Sequence, residues 1–273
     1  MKSNLASRVI KIKGIEQPYS TKIIKAGALL SDTKTMLASW EPNLSVIRNL
    51  EKLKNENVFG KASRKRISDM LMIFRQRFLG DEQTTKSLVR LAKGHASSES
   101  LDRILYFLAA QSDQLLHDTV TEILHEFVRL GKSNVKTVDV RSKLLEWVAE
   151  GKMSGQWSAD TADRVAQGLL ATLRDFGILK GAVKKQLTYV HLPIEAFAYI
   201  AFWLRRNQPS GTMLLNHPEW RLFFLSNGAV ENLFLQAHQS ELLEYHAAGS
   251  IIRIDFPTAS LEEYAGVIAQ RMH

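Results

Sequence analysis

Within residues 64–78 the apolar side chains Ile67, Met70, Leu71, Phe74 and Phe78 recur at helical intervals. At about 100° per residue they share one narrow stripe, which predicts an amphipathic helix with a single face turned toward a core. The same periodicity extends over most of the chain. Residues 21–40 carry Ile23, Ile24, Leu29, Leu30 and Leu37, and residues 43–55 carry Leu44, Ile47, Leu50 and Leu53 behind Asn43 as a helix-starting cap. Further helices are expected at 84–92, 98–110, 113–130, 138–150, 158–176, 194–206, 219–226, 229–240 and 260–270, with Gly131 as a natural C-terminal stop. Two stretches break this rhythm. Residues 177–179, then a tip with Lys184 and Lys185, then alternating Leu187, Tyr189 and His191 predict a small β-hairpin; residues 242–246 and 250–256 predict another.

The order of these elements predicts a mainly α protein. It comprises an N-terminal helical bundle with a helix-turn-helix-like unit, then a winged-helix-like module and a small α+β C-terminal part. The expected division is 1–93 as a basic helical DNA-binding domain, 94–193 as a helical region ending in the winged-helix-like module, and 194–273 as the small α+β subdomain. The helix-turn-helix-like grammar lies in the helix at 43–55, a turn containing Gly60, Ser63 as N-cap, and the helix that follows. Ordinary helical hairpins share this grammar.

Charge gives the second of those helices its interest. Arg64 and Arg75 flank the apolar stripe on one side and Arg66 and Arg77 on the other, each pair three turns, or roughly 16 Å, apart. The chain of 273 residues has a net charge of +8, unevenly spread: residues 1–93 hold 19 Lys and Arg against 8 Asp and Glu, and residues 94–273 hold 17 against 20. A basic segment beside a mildly acidic one points to a polyanion, because neutralising phosphates releases counterions and supplies affinity without chemistry. Lys61, Ser63, Arg64, Lys65, Arg66, Arg75 and Arg77 are the candidate DNA contacts, with Lys184 and Lys185 at the hairpin tip as secondary ones. The competing reading is a solvated basic face. Base readout has few candidates, since Gln76 and Lys65 alone stand near the middle of the exposed face. Aromatic residues do not interleave the basic patch, which argues against a stacking platform for single strands. In the winged-helix-like module the outward residues Asp160, Asp163, Arg164, Gln167, Arg174 and Asp175 nearly cancel, so a structural or protein-contact role is favoured there.

Catalytic signatures are missing. The chain has no Cys, which removes disulfides, thiolate zinc sites and a cysteine nucleophile. It has no HExxH, phosphate-cradling GxxxxGK[ST], GxGxxG or GxSxG motif. Glu122 and His125 have the Glu-x-x-His spacing of di-metal bundles, but no second copy accompanies them, and a surface pair is the simpler reading. The tryptophans 147, 157, 203 and 220 lie in or beside apolar stretches and are expected in the core. No signal-like apolar run opens the sequence, and the greasiest window, 194–204, is too short to span a bilayer, so a cytoplasmic location is expected.

The segments PYSTKIIKAGALLSDTKTML at 18–37, KLKNENVFGKASRKRISDMLMIFRQRFL at 52–79 and ADTADRVAQGLLATLRDFGIL at 159–179 resemble the BrxA family, the small component of BREX (bacteriophage exclusion) defence systems. The resemblance implies a cytoplasmic, non-enzymatic, largely helical protein that binds double-stranded DNA, without cofactor or small-molecule substrate. It would work beside a methyltransferase, an ATPase and other BREX components. The family supplies no catalytic residues. Two other readings stay open: a protein–protein adaptor of the defence complex, and an RNA-binding helical protein.

Overall fold

Side-chain oxygens start most of the long helices. In the computed structural model, which describes residues 19–270 except 95, 96, 154, 208, 209 and 250, Ser45, Ser63, Asp81, Ser97, Asp113, Ser158 and Ser226 each accept a hydrogen bond from a backbone N–H in the turn that follows. Each satisfies a donor that a helix start otherwise leaves unpaired. The helices so begun are α3 (Val46–Asn55), α4 (Arg64–Phe78), α5 (Glu82–Lys93), α6 (Ser98–Ser112), α7 (Gln114–Asp118), α10 (Ala159–Asp175) and α13 (Asn227–Gln239). Before them come α1 (Ile23–Ala26) and α2 (Leu30–Ala38); between them lie α8 (His125–Arg129), α9 (Thr137–Ala149), α11 (Ile194–Arg205) and α12 (Gly211–Leu215), and α14 (Leu261–Gln270) is last. The cap of α3 is Ser45, two residues beyond the expected Asn43. The N-terminal basic arm before residue 19, His95 and residue 250 lie outside the described residues.

Four expected elements differ. The helix expected over 21–40 is two pieces, broken where Gly27 has φ 55° and Leu29 φ 53°. Arg77 takes the carbonyls of Gly27 and Ala28, which a continuous helix would have given to its own N–H groups. The helix expected over 113–130 has a π-helical middle, Thr119–Leu124, between α7 and α8. Instead of an α-helix over 219–226 there is a 3-10 helix, Pro218–Phe223, stopped by Phe224 in the left-handed conformation with φ 55°. The hairpin at 177–191 gains a strand: β1 (Asn134–Val135), β2 (Leu179–Lys180) and β3 (Lys185–Leu187) form an antiparallel sheet in the order β1-β3-β2. Its register pairs Asn134 with Gln186 and Leu179 with Leu187. Tyr189, expected in the strand, lies beyond it and is 91% exposed. The second hairpin, β4 (Glu244–Ala248) with β5 (Ile251–Asp255), is present with Tyr245 opposite Ile254.

The chain is mainly α with a small C-terminal α+β part, and one connected cluster of buried side chains runs from Tyr19 to Ile268. α11 lies near its middle with Ala196, Phe197, Ala198, Tyr199, Ile200 and Ala201 all buried. Phe197 stacks on Trp220 at 4.9 Å and meets Phe234 edge-on at 4.8 Å, while Phe202 stacks on Tyr264 at 4.8 Å. Buried hydroxyls are satisfied: Tyr199 shares a hydrogen bond of 2.6 Å with Ser87, Tyr106 donates to the Leu222 carbonyl and Tyr264 to that of Leu242. As expected, Trp147, Trp157 and Trp220 are buried; Trp203 is half-buried beneath the Arg206 guanidinium at 4.8 Å. The buried cluster runs across the expected boundaries at 93/94 and 193/194. α14 packs on α5 as well as on α11, and α1 packs on α10. Glycines permit the closest approaches: a Cβ at Gly94 would lie 2.8 Å from the Ala269 Cβ, and one at Gly211 would lie 2.4 Å from the Ile252 carbonyl oxygen.

Candidate nucleic-acid interface

The turn between α3 and α4 is built by its own side chains. Asn57, at φ 47°, clamps Lys61 twice: its amide oxygen accepts from the Lys61 N–H at 3.0 Å and its amide nitrogen donates to the Lys61 carbonyl at 3.0 Å. Gly60 supplies a second left-handed residue at φ 61°. Phe59 tucks beneath, its ring 5.8 Å from that of Phe74. The turn thereby delivers Ser63 to the start of α4, where its hydroxyl accepts from the Arg66 N–H at 3.3 Å. Ser63 is thus the expected N-cap.

Helix α4 buries Ile67, Met70, Leu71, Phe74 and Phe78, the stripe read from the sequence. Its opposite side exposes Arg64, Lys65, Arg75 and Gln76. Among the described residues, none of Arg64, Lys65 and Arg75 forms a salt bridge, although Asp69 adds one carboxylate to the same helix. Lys61 faces Asp32 at 3.0 Å. Two of the arginines are occupied elsewhere. The exposed Arg66 donates to the Lys25 carbonyl at 3.0 Å. Arg77 is only 7% exposed and donates to the carbonyls of Gly27 at 2.8 Å and Ala28 at 3.5 Å. Burial lowers the Arg77 pKa to about 10, against the opposing pull of Asp113. Arg77 therefore does not present its charge to solvent, because the backbone around Gly27 folds over it.

The hairpin tip forms a second basic place. Lys184 is exposed and Lys185 is half-buried, donating to the Ala182 carbonyl. Both line a groove of about 500 Å³ with Asn134, Lys136 and Gln167. On α10 the outward charges largely neutralise one another: Asp163 receives the Gln167 amide at 2.6 Å and lies 3.9 Å from Arg141, and Arg174 pairs with Asp175 at 2.6 Å. Arg164 is exposed. Periodicity alone could not find β1, which completes the sheet at this groove, because two residues carry no alternation.

A polar cluster that the sequence did not suggest lies behind α7. His117 Nδ1 is 2.7 Å from Asp118 and its Nε2 3.1 Å from Glu219, while Tyr19 donates to Asp118 at 2.6 Å and Gln111 donates to Glu219. Burial opposes the charged imidazole, but hydrogen bonds to the two carboxylates prevail and raise its pKa to about 9. Among the described residues no group of three His, Cys, Asp or Glu is arranged to hold a metal ion, and no helix is long and apolar enough to cross a membrane.

Two comparisons place this architecture. No curated protein matches the chain. A crystal structure of an uncharacterized protein from Magnetospirillum magneticum is similar with a TM-score of 0.59 at 16% identity, covering 76% of this chain and 98% of that one. At that identity the likeness concerns the fold alone. The model of the BrxA family matches residues 17–202, which include α4, β1, α10 and the hairpin tip. That is more than half of the chain, which belongs to the BrxA family and is a component of BREX phage defence.

Proposed function

We propose that this chain is a non-enzymatic, cytoplasmic accessory protein of its BREX system that binds double-stranded DNA, mainly through phosphate contacts and with weak sequence preference. The observation that carries this reading is the outward side of α4, where Arg64, Lys65 and Arg75 stand exposed and free of salt bridges. Cations placed in this way neutralise phosphates at any sequence, whereas base readout needs amides or guanidinia aimed at base edges. Lys61 and Arg66 widen the patch, and Ser63 supports it as the cap. Arg77 has no part in direct contact. Lys184 and Lys185 offer a second phosphate contact: helix, strand, helix, helix and two strands over 114–187 follow the order of a winged helix, with these lysines on the wing. No cofactor, metal or small-molecule substrate enters this reading.

The test is charge reversal on the free face. The variant Arg64→Glu with Arg75→Glu is expected to bind a mixed-sequence duplex more than tenfold more weakly in fluorescence anisotropy, with an unchanged circular dichroism spectrum. Equal affinity would refute the assignment. Running single-stranded DNA and structured RNA beside the duplex separates the RNA-binding alternative. The neutralised face of α10 favours a further role as a protein contact. Retention of another BREX component in high salt, lost when Arg164 and Gln167 are changed to Glu, would identify that face as the adaptor surface.

A further inference from the structure

α1 is four residues long and has no side-chain cap, so it cannot hold its own shape in water. Its neighbours hold it. Ile23 is buried, and α1 lies close against α10, where a Cβ at Gly168 would come within 3.4 Å of the Ile23 carbonyl oxygen and the Ile24 Cα. From the other side α4 grips the backbone, Arg66 through the Lys25 carbonyl and Arg77 through those of Gly27 and Ala28. Held in this way, α1 and the residue before it turn Lys22 and Lys25 to solvent. Lys22 reaches the side chain of Gln76 on α4 at 3.2 Å. Neither lysine forms a salt bridge among the described residues. The acid that feels Lys22, Asp113, is half-buried and also interacts with Arg77.

We propose that Lys22 and Lys25 are phosphate contacts of the DNA surface, and that Arg77 is a positioning residue that sets them beside α4 through the Gly27 carbonyl. The inference rests on the duplex-binding reading above. It replaces the buried charge of Arg77 with two exposed ammonium groups, which suit phosphate as compact charges on flexible stems.

The full chain with Lys22→Gln and Lys25→Gln tests the contacts. Neutralising one phosphate fewer makes the slope of log Kobs against log salt shallower by about 0.9, so the double variant is expected to be shallower by about 1.8 while its Tm stays unchanged. If the unmodified chain does not bind duplex, the reading of the previous section fails. If it binds and the double variant keeps the same slope and affinity, the contacts assigned to α1 are refuted and that reading stands. Arg77→Met removes no exposed charge. While it is folded by circular dichroism it should nonetheless reduce the slope, and adding the two lysine changes should reduce it little further. A folded Arg77→Met chain with an unaltered slope overturns the positioning role. Should that variant not fold, Arg77→Lys, which retains a charge but not the Nη1 donor that both carbonyls share, provides the same readout.

Discussion

His117 keeps its proton because two carboxylates outweigh its burial, and that balance makes stability depend on pH in a stated direction. Its pKa rises from 6.5 to about 9 in the fold. A raised pKa means that the folded state holds the proton more tightly, so the contribution is complete below about pH 6.5 and is lost as pH climbs through 9. A shift of this size is worth on the order of 3 kcal/mol. Thermal melts should therefore show Tm falling between pH 7 and 9.5, with a flatter profile for His117→Gln; parallel profiles would remove His117 from the account. Asn49 makes a second residue-level case. Fully buried, it accepts from the Glu41 N–H at 2.8 Å and donates to the carbonyls of Glu41 and Leu44 at 2.9 and 3.1 Å, closing the turn before α3. Asn49→Ala would strand those groups and is expected to destabilise by about 1–3 kcal/mol in urea unfolding. Neither role was legible in the sequence, which shows a residue's type and periodic position but not the distant partner it will meet. Arg77 illustrates the same limit. Its place at the edge of the apolar stripe was readable; the carbonyls that cover it come from a chain segment fifty residues earlier.

At the scale of elements, the sequence disclosed what local periodicity controls. The stripe on α4, the Ser63 cap, the Gly131 stop and both hairpins are present because each follows from neighbours within a few residues. The break at Gly27, the π-helical turn and the 3-10 helix at 218–223 escaped periodicity, since tertiary contacts or left-handed residues set them. Close contacts between elements give a paired prediction. Gly211 opens α12 directly against β5, and Gly211→Ala would drive a Cβ to 2.4 Å from the backbone of Ile252. Backbone cannot swing aside, so a loss of about 1–3 kcal/mol is expected from denaturant unfolding. Gly266 lies within α14, and the atoms nearest to its added Cβ belong to the end of the Arg90 side chain, at 2.6 Å. Arg90 is exposed and can rotate away, so Gly266→Ala is expected to be neutral or to stabilise by up to about 1 kcal/mol through helix propensity. Equal losses in the two variants would contradict this distinction.

For the whole molecule, the uneven charge was legible from counting, and the candidate DNA surface lies in the basic part. The sharing of one core was not legible, because no linker-like composition or its absence reveals which distant helices meet. With a core that runs from Tyr19 to Ile268, unfolding is expected to be a single transition, coincident by far-ultraviolet circular dichroism and tryptophan fluorescence. Two resolved transitions would mark separable domains. The packing of α14 on α5 also has a consequence in time. On the ribosome, α5 emerges about 170 residues before the helix that covers it, a delay of roughly 10–30 s at ordinary rates of synthesis. Throughout that interval the side of α5 destined for α14 has no native cover. The nascent chain is therefore exposed to misassociation while α5 waits for its cover, and its demand for chaperones should persist until α14 clears the exit tunnel.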